Sequence, residues 1–373
     1  MTTPFPEHRT YGVELETQRP SGVSNTNVCD RIRAAGIPCT VGHSHTSRNE
    51  PGKWLVKPDG SIRPYGQGAE IVSPILVGSA GFDQIERVCA AAGGIGLRIT
   101  SECGLHVHVG AADVMIAPQR KLAVVYSDHE VIIDSLMPLG RRGSSNTYCK
   151  SIKNATHAQI ANATRTSDLA MVLAGYSSSR YSRSRHNLKF YKVNFSSHWH
   201  RRTIEFRHHS GTINARKVIN WVKFCVRMVQ HAHDHPTIVI GGRTVSRPMA
   251  SWGENARGGQ AIFRALLLRP EGATRDEIFA ATGWHRGSLS MRNMARLAGI
   301  ELRSSRVFGS KAKRYHGAIR GAEVVIDAAA PMAPPAPTFD GLMDMIGCEP
   351  PEVEYWVARR NELAQRHGQE LTP

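Results

Sequence analysis

The sequence is poor in the features that would settle its class at once. Its 373 residues hold no CxxC pair, and the seven cysteines (29, 39, 89, 103, 149, 225 and 348) form an odd, scattered set. That pattern argues against a disulfide framework or a thiolate zinc site, and for reduced thiols in a cytoplasm. No run of 18 uncharged apolar residues occurs, so no membrane partner is expected. The opening MTTPFPEHRTYGVELE lacks the basic-then-apolar layout of a secretory signal. Neither a GxxxxGK[ST] phosphate loop nor a GxGxxG dinucleotide fingerprint is found. A nucleotide would need a site built from metal and arginine instead.

Acid is scarce as well: 31 Asp and Glu stand against 47 Lys and Arg, a formal charge of +16. The excess is uneven. Between Arg257 and Arg314 twelve Lys and Arg face four acids, so half of the net charge lies in about a sixth of the chain. Such a local excess is the footprint of a polyanion partner, most often nucleic acid; the plain alternative is a solvated basic face. Apolar residues make up 41%, enough for globular cores, and the length suggests two domains plus a tail.

Alternation predicts strands at 10–16 (TYGVELE), 52–57, 68–73 and 104–110, with a turn at PDGS, 58–61. Helices are expected at 25–36, 81–92, 119–136, 166–174 and 214–232. The Ser-, Arg- and Asn-rich stretch 141–186 suggests long polar loops or a lid. Residues 189–195 and 202–208 flank SSHWHR as an antiparallel hairpin. The first 235 residues therefore read as an α+β domain with a mostly antiparallel sheet and flanking helices.

Residues 236–258 form a linker. In 259–318, GQAIFRALLLRP ends at Pro270, Thr274 and Glu277 have capping-box spacing, and RVFGSKAKRYH suits a two-stranded wing. Helix, turn, helix and wing is a winged helix-turn-helix layout. Residues 319–373 carry a Pro-rich spacer, AAAPMAPPAP, and an amphipathic segment near 351–366 suited to docking.

Strand positions i and i+2 share a face. Glu14 and Glu16 thus present two carboxylates, His106 and His108 two imidazoles, and Glu205 and Arg207 opposite charges. Alone, each pair has a plain reading: a solvated strand face, a zinc fragment, a surface ion pair. Together they place charges on one wall, where unpaired burial is costly and neighbouring carboxylates raise each other's pKa. Divalent cations resolve both problems, and Mg²⁺ favours a few carboxylates plus phosphate oxygens.

YGVELE, KPDGS with GAEIVSP after it, CGLHVHVG and TIEFRHHSGT occur in that order. They resemble the amidoligase family, relatives of glutamine synthetase and glutamate–cysteine ligase, over roughly residues 10–230. The resemblance implies a funnel-like sheet holding ATP and two or more Mg²⁺ or Mn²⁺ ions, and a carboxylate phosphorylated before an amine displaces phosphate. It implies metal ligation by Glu14, Glu16, Glu205 and His106. His106 or His108 would touch metal or ATP phosphate, and Arg207 would hold phosphate and the developing charge. Asp59 and Ser61 would lie near the substrate mouth, and Glu70 is the candidate base or a further ligand. Arg180, Tyr181, Arg185, Asn187 and Asn194 are placed toward ATP, and His208 and His209 toward metal, toward substrate or simply at a strand end. The two substrates would be a carboxylate and an amine.

The segment LLLRPEGATRDEIFAATGWHRGSL is similar to small bacterial helix-turn-helix domains. If it docks on DNA, Arg286, Ser288, Arg292, Asn293 and Arg296 are available to a groove, and Lys311, Lys313 and Arg314 to phosphates. Protein docking is the other use of such modules. A DNA-binding regulator that senses ATP or metal without turnover, and a metal-dependent hydrolase, compete with the ligase reading.

Overall fold

A computed structural model describes residues 4–176, 188–241, 259–269, 271–282, 291, 294–295, 300–306, 313–319, 324–327 and 336–368. Its main sheet runs β2-β3-β4-β1-β6-β8-β7. The strands are β1 (Thr10–Gln18), β2 (Cys39–Val41), β3 (Trp54–Pro58), β4 (Gly68–Val72), β6 (Leu105–Gly110), β7 (Val193–Asn194) and β8 (Thr203–Phe206). The two-residue strand β5 (Leu76–Val77) pairs with the start of β1. Every pairing is antiparallel except β2 with β3, so the expected mixed fold with a mostly antiparallel sheet is found.

Alternation along these strands divides the sheet into two chemistries. Tyr11, Val13 and Leu15 of β1, Val107 and Val109 of β6, and Ile204 and Phe206 of β8 enter one hydrophobic core. The intervening positions carry Glu14, Glu16, His106, His108 and Glu205 to the opposite face. The apolar face is covered by α1 (Asn25–Ala34), α2 (Ala80–Gly94), α3 (Ile116–Ser135) and α7 (Ala215–Asp234). A Ser24 capping box starts α1, and Asn214 caps α7.

The expected hairpin forms, β7 pairing antiparallel with β8, and between them SSHWHR coils into a short helix, α6 (Ser197–Arg201), with Arg202 turning the chain at a left-handed φ of 56°. The described part of 141–186 is folded: it contains α4 (His157–Asn162) and α5 (Thr166–Leu173), the helix expected at 166–174, and buries Cys149, Ile152 and Ile160. Its scattered apolar side chains join the core beside α3. Strand β2 joined the sheet without a sequence signal, since three residues carry no readable period.

All seven cysteines are free and buried. Among the described residues no helix is long and apolar enough to cross a membrane.

A second, separate core gathers Phe263, Leu267, Ala273, Ile278, Met291, Met294 and Ile300. It lies among α8 (Gly259–Leu268), β10 (Ala273–Thr274), α9 (Arg275–Thr282), β11 (Ile300–Arg306) and β12 (Lys313–Ile319), the three strands forming a sheet ordered β10-β12-β11. Thr274 accepts from the Glu277 amide and Glu277 from the Thr274 amide, the anticipated capping box. Strand β13 (Val324–Asp327) pairs in parallel with β9 (Ile238–Gly241).

The closing helices α10 (Phe339–Met345) and α11 (Pro350–His367) return to the first core. Trp356 packs edge-on against Trp221 and Phe224 of α7, and buried Arg227 meets Glu352 at 2.8 Å.

Candidate active site

The sheet register assembles the charged wall. Glu14 lies opposite His106, Glu16 opposite Glu70, Lys57 opposite Glu70, and Glu205 opposite both His108 and Asn194. Taken together, these pairings bring Glu14 and Glu205, at opposite ends of the sequence motifs, into one group.

His106 is the hub. Its Nδ1 lies 3.3 Å from Glu14 Oε2 and 3.9 Å from Glu205 Oε1, and its Nε2 lies 3.5 Å from Glu16 Oε1. Glu16 also accepts from the Gly104 amide at 2.6 Å. A Cβ on Gly104 would fall 2.9 Å from His106 Nε2 and 3.2 Å from both Glu16 Oε2 and Arg141 Nη2, so the missing side chain is what lets these groups converge.

His108 faces the outer side of the same wall. Its Nε2 lies 3.3 Å from Glu14 Oε1 and 3.8 Å from Glu205 Oε1. Glu14, His108 and Glu205 each offer a ligand atom within 4.8 Å of the others. Of the ligands expected from the sequence, Glu14 and Glu205 fall in this group and His108 stands with them, while His106 lies against Glu14, Glu16 and Glu205 on the same wall. Two carboxylates and an imidazole suit Mn²⁺ well and Mg²⁺ through its oxygens, so the residues fit the implied ion.

Electrostatics follow the packing. Burial opposes charge on Glu14, yet His108 and His106 hold its carboxyl well below the usual range. For Glu205 burial is likewise outweighed, first by Arg207 and then by His108, and its pKa drops to about 2. Glu70 goes the other way. Burial and the negative charge of Glu14 push it well above the usual carboxylate value, and the Lys57 ammonium 2.8 Å away only partly offsets them.

Several expected contacts differ. Arg207 donates to Glu205 Oε1 at 2.5 Å and to the Tyr148 carbonyl at 3.2 Å, so its guanidinium is committed to the wall. Asn194 is turned inward too: its amide nitrogen donates to Glu205 Oε2 at 2.6 Å and its oxygen accepts from the Ser196 amide, which makes it a support for Glu205. Asp59 accepts from the Ser61 amide and hydroxyl, closing its own turn. His208 and His209 leave the wall altogether: β8 ends at Phe206, and beyond it both side chains are buried. His208 lies between Tyr126 and Asp134 at 2.7 Å each, and His209 stacks at a tilt on Trp221. Arg180, Tyr181, Arg185 and Asn187 lie outside the described residues, as do Arg286, Ser288, Arg292, Asn293, Arg296 and Lys311. Lys313 and Arg314 fall on β12, with Lys313 exposed.

Sequence reading passed over Arg201, Lys57 and Gly104. Arg201 Nη1 lies 3.2 Å from Glu14 Oε1 and 3.3 Å from His108 Nε2. It ends α6, a helix that alternation could not announce. Lys57 sat in a strand whose partner was unknown.

A cleft of about 1190 Å³ opens beside Glu14 and His108, and its lining includes Arg48, Lys57, Arg201 and Arg202. The arrangement can therefore bind a cation on the wall and an anion in the adjoining space. That pairing of sites is what chemistry on phosphate and carboxylate groups requires.

No curated protein matches the sequence. A cryo-EM structure of Plasmodium falciparum glutamine synthetase aligns over 98% of this chain and 74% of its own, at 10% identity and a TM-score of 0.31. The family model described as "Putative amidoligase enzyme" matches residues 7–229, which span every wall residue from Glu14 to Arg207 and well over half of the chain. The chain belongs to the amidoligase family.

Proposed function

We propose that this chain is an ATP- and Mg²⁺- (or Mn²⁺-) dependent carboxylate–amine ligase acting through an acyl phosphate. Family membership supports a ligase in general. The observation that carries the finer reading is the buried trio of Glu14, His108 and Glu205 beside an arginine-lined cleft. These three residues would hold the divalent ion, with His106 and Glu16 positioning them from behind. Once bound, the ion supplies the positive charge that lets a carboxylate anion approach a polyphosphate.

The other steps belong to the protein's own groups. Arg207 keeps Glu205 ionised and in place. Arg48 and Arg202, which line the cleft, attract polyphosphate oxygens. Glu70, whose carboxyl burial and Glu14 push above the usual carboxylate range, is the candidate group to take a proton from the attacking amine. The ligase reading is tested by release of ADP that depends on both a carboxylate and an amine. Transfer of ¹⁸O from labelled carboxylate into phosphate marks the acyl phosphate route; product formed without label in phosphate excludes it.

We also propose that residues 1–235 form the catalytic domain, 236–258 a linker and 259–318 a winged helix-turn-helix that brings the ligase to nucleic acid, with 319–373 returning to brace the catalytic core. The two helices and the antiparallel β11–β12 pair, together with the basic excess of this segment, support that reading. Affinity for duplex DNA should fall steeply as salt rises; a flat response would remove it.

A further inference from the structure

We propose that Arg201 occupies the seat of the divalent cation and exchanges with it, moving into the cleft as a third anion-binding guanidinium. The inference rests on the metal reading above and adds a residue that the family motifs do not reach.

Arg201 Nη1 touches two atoms at once, Glu14 Oε1 at 3.2 Å and His108 Nε2 at 3.3 Å. A guanidinium can only donate, so the contact with His108 uses the neutral tautomer in which Nε2 presents its lone pair and Nδ1 carries the ring hydrogen. In that tautomer Nδ1 has acceptors, Thr203 Oγ1 at 3.1 Å and Ser197 Oγ at 3.3 Å. It is also the tautomer that a metal ligand at Nε2 needs. Arg201 therefore reads the wall as a cation would, through the same lone pairs.

Those lone pairs cannot serve both. A divalent ion on Glu14 and His108 must take the electron pairs that Arg201 uses, so the two exclude each other. Little else restrains the arginine: its side chain is 59% exposed, while Glu14 and His108 are nearly buried. The displaced guanidinium has somewhere to go, since Arg201 lines the cleft together with Arg48 and Arg202. Loading the wall with metal would thus also raise the positive charge available to a polyanion, coupling the two binding events.

The experiment is a titration of the full-length protein with Mn²⁺ alone, followed by the electron paramagnetic resonance signal of free Mn²⁺. Arg201→Ala should bind Mn²⁺ about two- to fivefold more tightly than the wild type, the scale of one exposed ion pair. Arg201→Lys should also bind more tightly, because it keeps the charge but not the guanidinium nitrogen that meets both Glu14 and His108. Unchanged affinity in Arg201→Ala overturns the exchange. So does tightening in Arg201→Ala with wild-type affinity in Arg201→Lys, which would mean that charge alone matters. At saturating Mn²⁺, inorganic tripolyphosphate should bind Arg201→Ala several-fold more weakly; equal binding overturns the move into the cleft. Glu14→Ala separates the two layers: if it binds Mn²⁺ as the wild type does, or the wild type binds none, the metal reading itself falls and the exchange with it.

Discussion

Glu14 and His106 face each other across the β1–β6 register, and their side chains meet 3.3 Å apart. The same carboxylate reaches His108 and Arg201 with its other oxygen. One glutamate thus ties two strands and a helix end into a single charged wall. Glu14→Ala should lower turnover by about 100-fold or more, because it removes a ligand and the shared acceptor together. Its melting temperature should stay within a few degrees of the wild type. Near-normal ligase rates would refute the site.

Arg207→Ala should behave differently, since it strands the buried carboxylate of Glu205 without its cation. Breaking a buried pair in this way costs about 3–5 kcal/mol. Denaturant unfolding should show that loss along with lost turnover. The double variant Arg207→Ala/Glu205→Gln should recover much of the stability and none of the activity. If the single variant unfolds like the wild type, Arg207 is not the counter-ion described.

Gly104→Ala tests convergence behind the wall. The added methyl would press on His106, Glu16 and Arg141, and overpacking of this kind costs about 1–3 kcal/mol. Mn²⁺ affinity should fall with it, although no proposed ligand is altered. Unchanged metal binding would mean that His106 and Glu16 do not position the trio.

Acid should weaken the fold through its buried histidines. Burial lowers His209 to about 3 and His198 to about 4, against about 6.5 for an unfolded histidine. The unfolded chain therefore binds protons that the folded chain refuses. This stability is fully present above about pH 6.5 and is lost as pH falls toward 4. At about 1.4 kcal/mol per unit, the loss is on the order of 3 kcal/mol or more. Urea midpoints at pH 7 and pH 4.5 measure it, and His209→Gln should flatten the slope between them.

The closing helix should prove part of the catalytic core. Trp356→Ala removes a buried indole from the Trp221 and Phe224 cluster, at a cost of about 3–5 kcal/mol. The cluster lies beneath His209, two residues beyond Arg207, so the variant should also lose activity at temperatures where it remains folded. A variant with wild-type unfolding midpoint would show α11 to be dispensable.

The sequence by itself determined which residues could form the wall. Alternation is a local property, so Glu14 with Glu16, His106 with His108, and Glu205 with Arg207 were legible as pairs on one face before any strand was paired. The long helices were legible for the same reason, each carrying its own period. What only the tertiary structure decided was register and depth. Hydrogen bonding between β1, β6 and β8 gathered His106 and His108 around Glu14 and Glu205, and set Asn194 and Arg207 against Glu205. The five-residue helix that delivers Arg201 to Glu14 has no period to read, and the space left by Gly104 exists only once Glu16, His106 and Arg141 surround it. Spacing along a chain fixes the face of a side chain; pairing between distant strands fixes its neighbours, and the chemistry of this site depends on the neighbours.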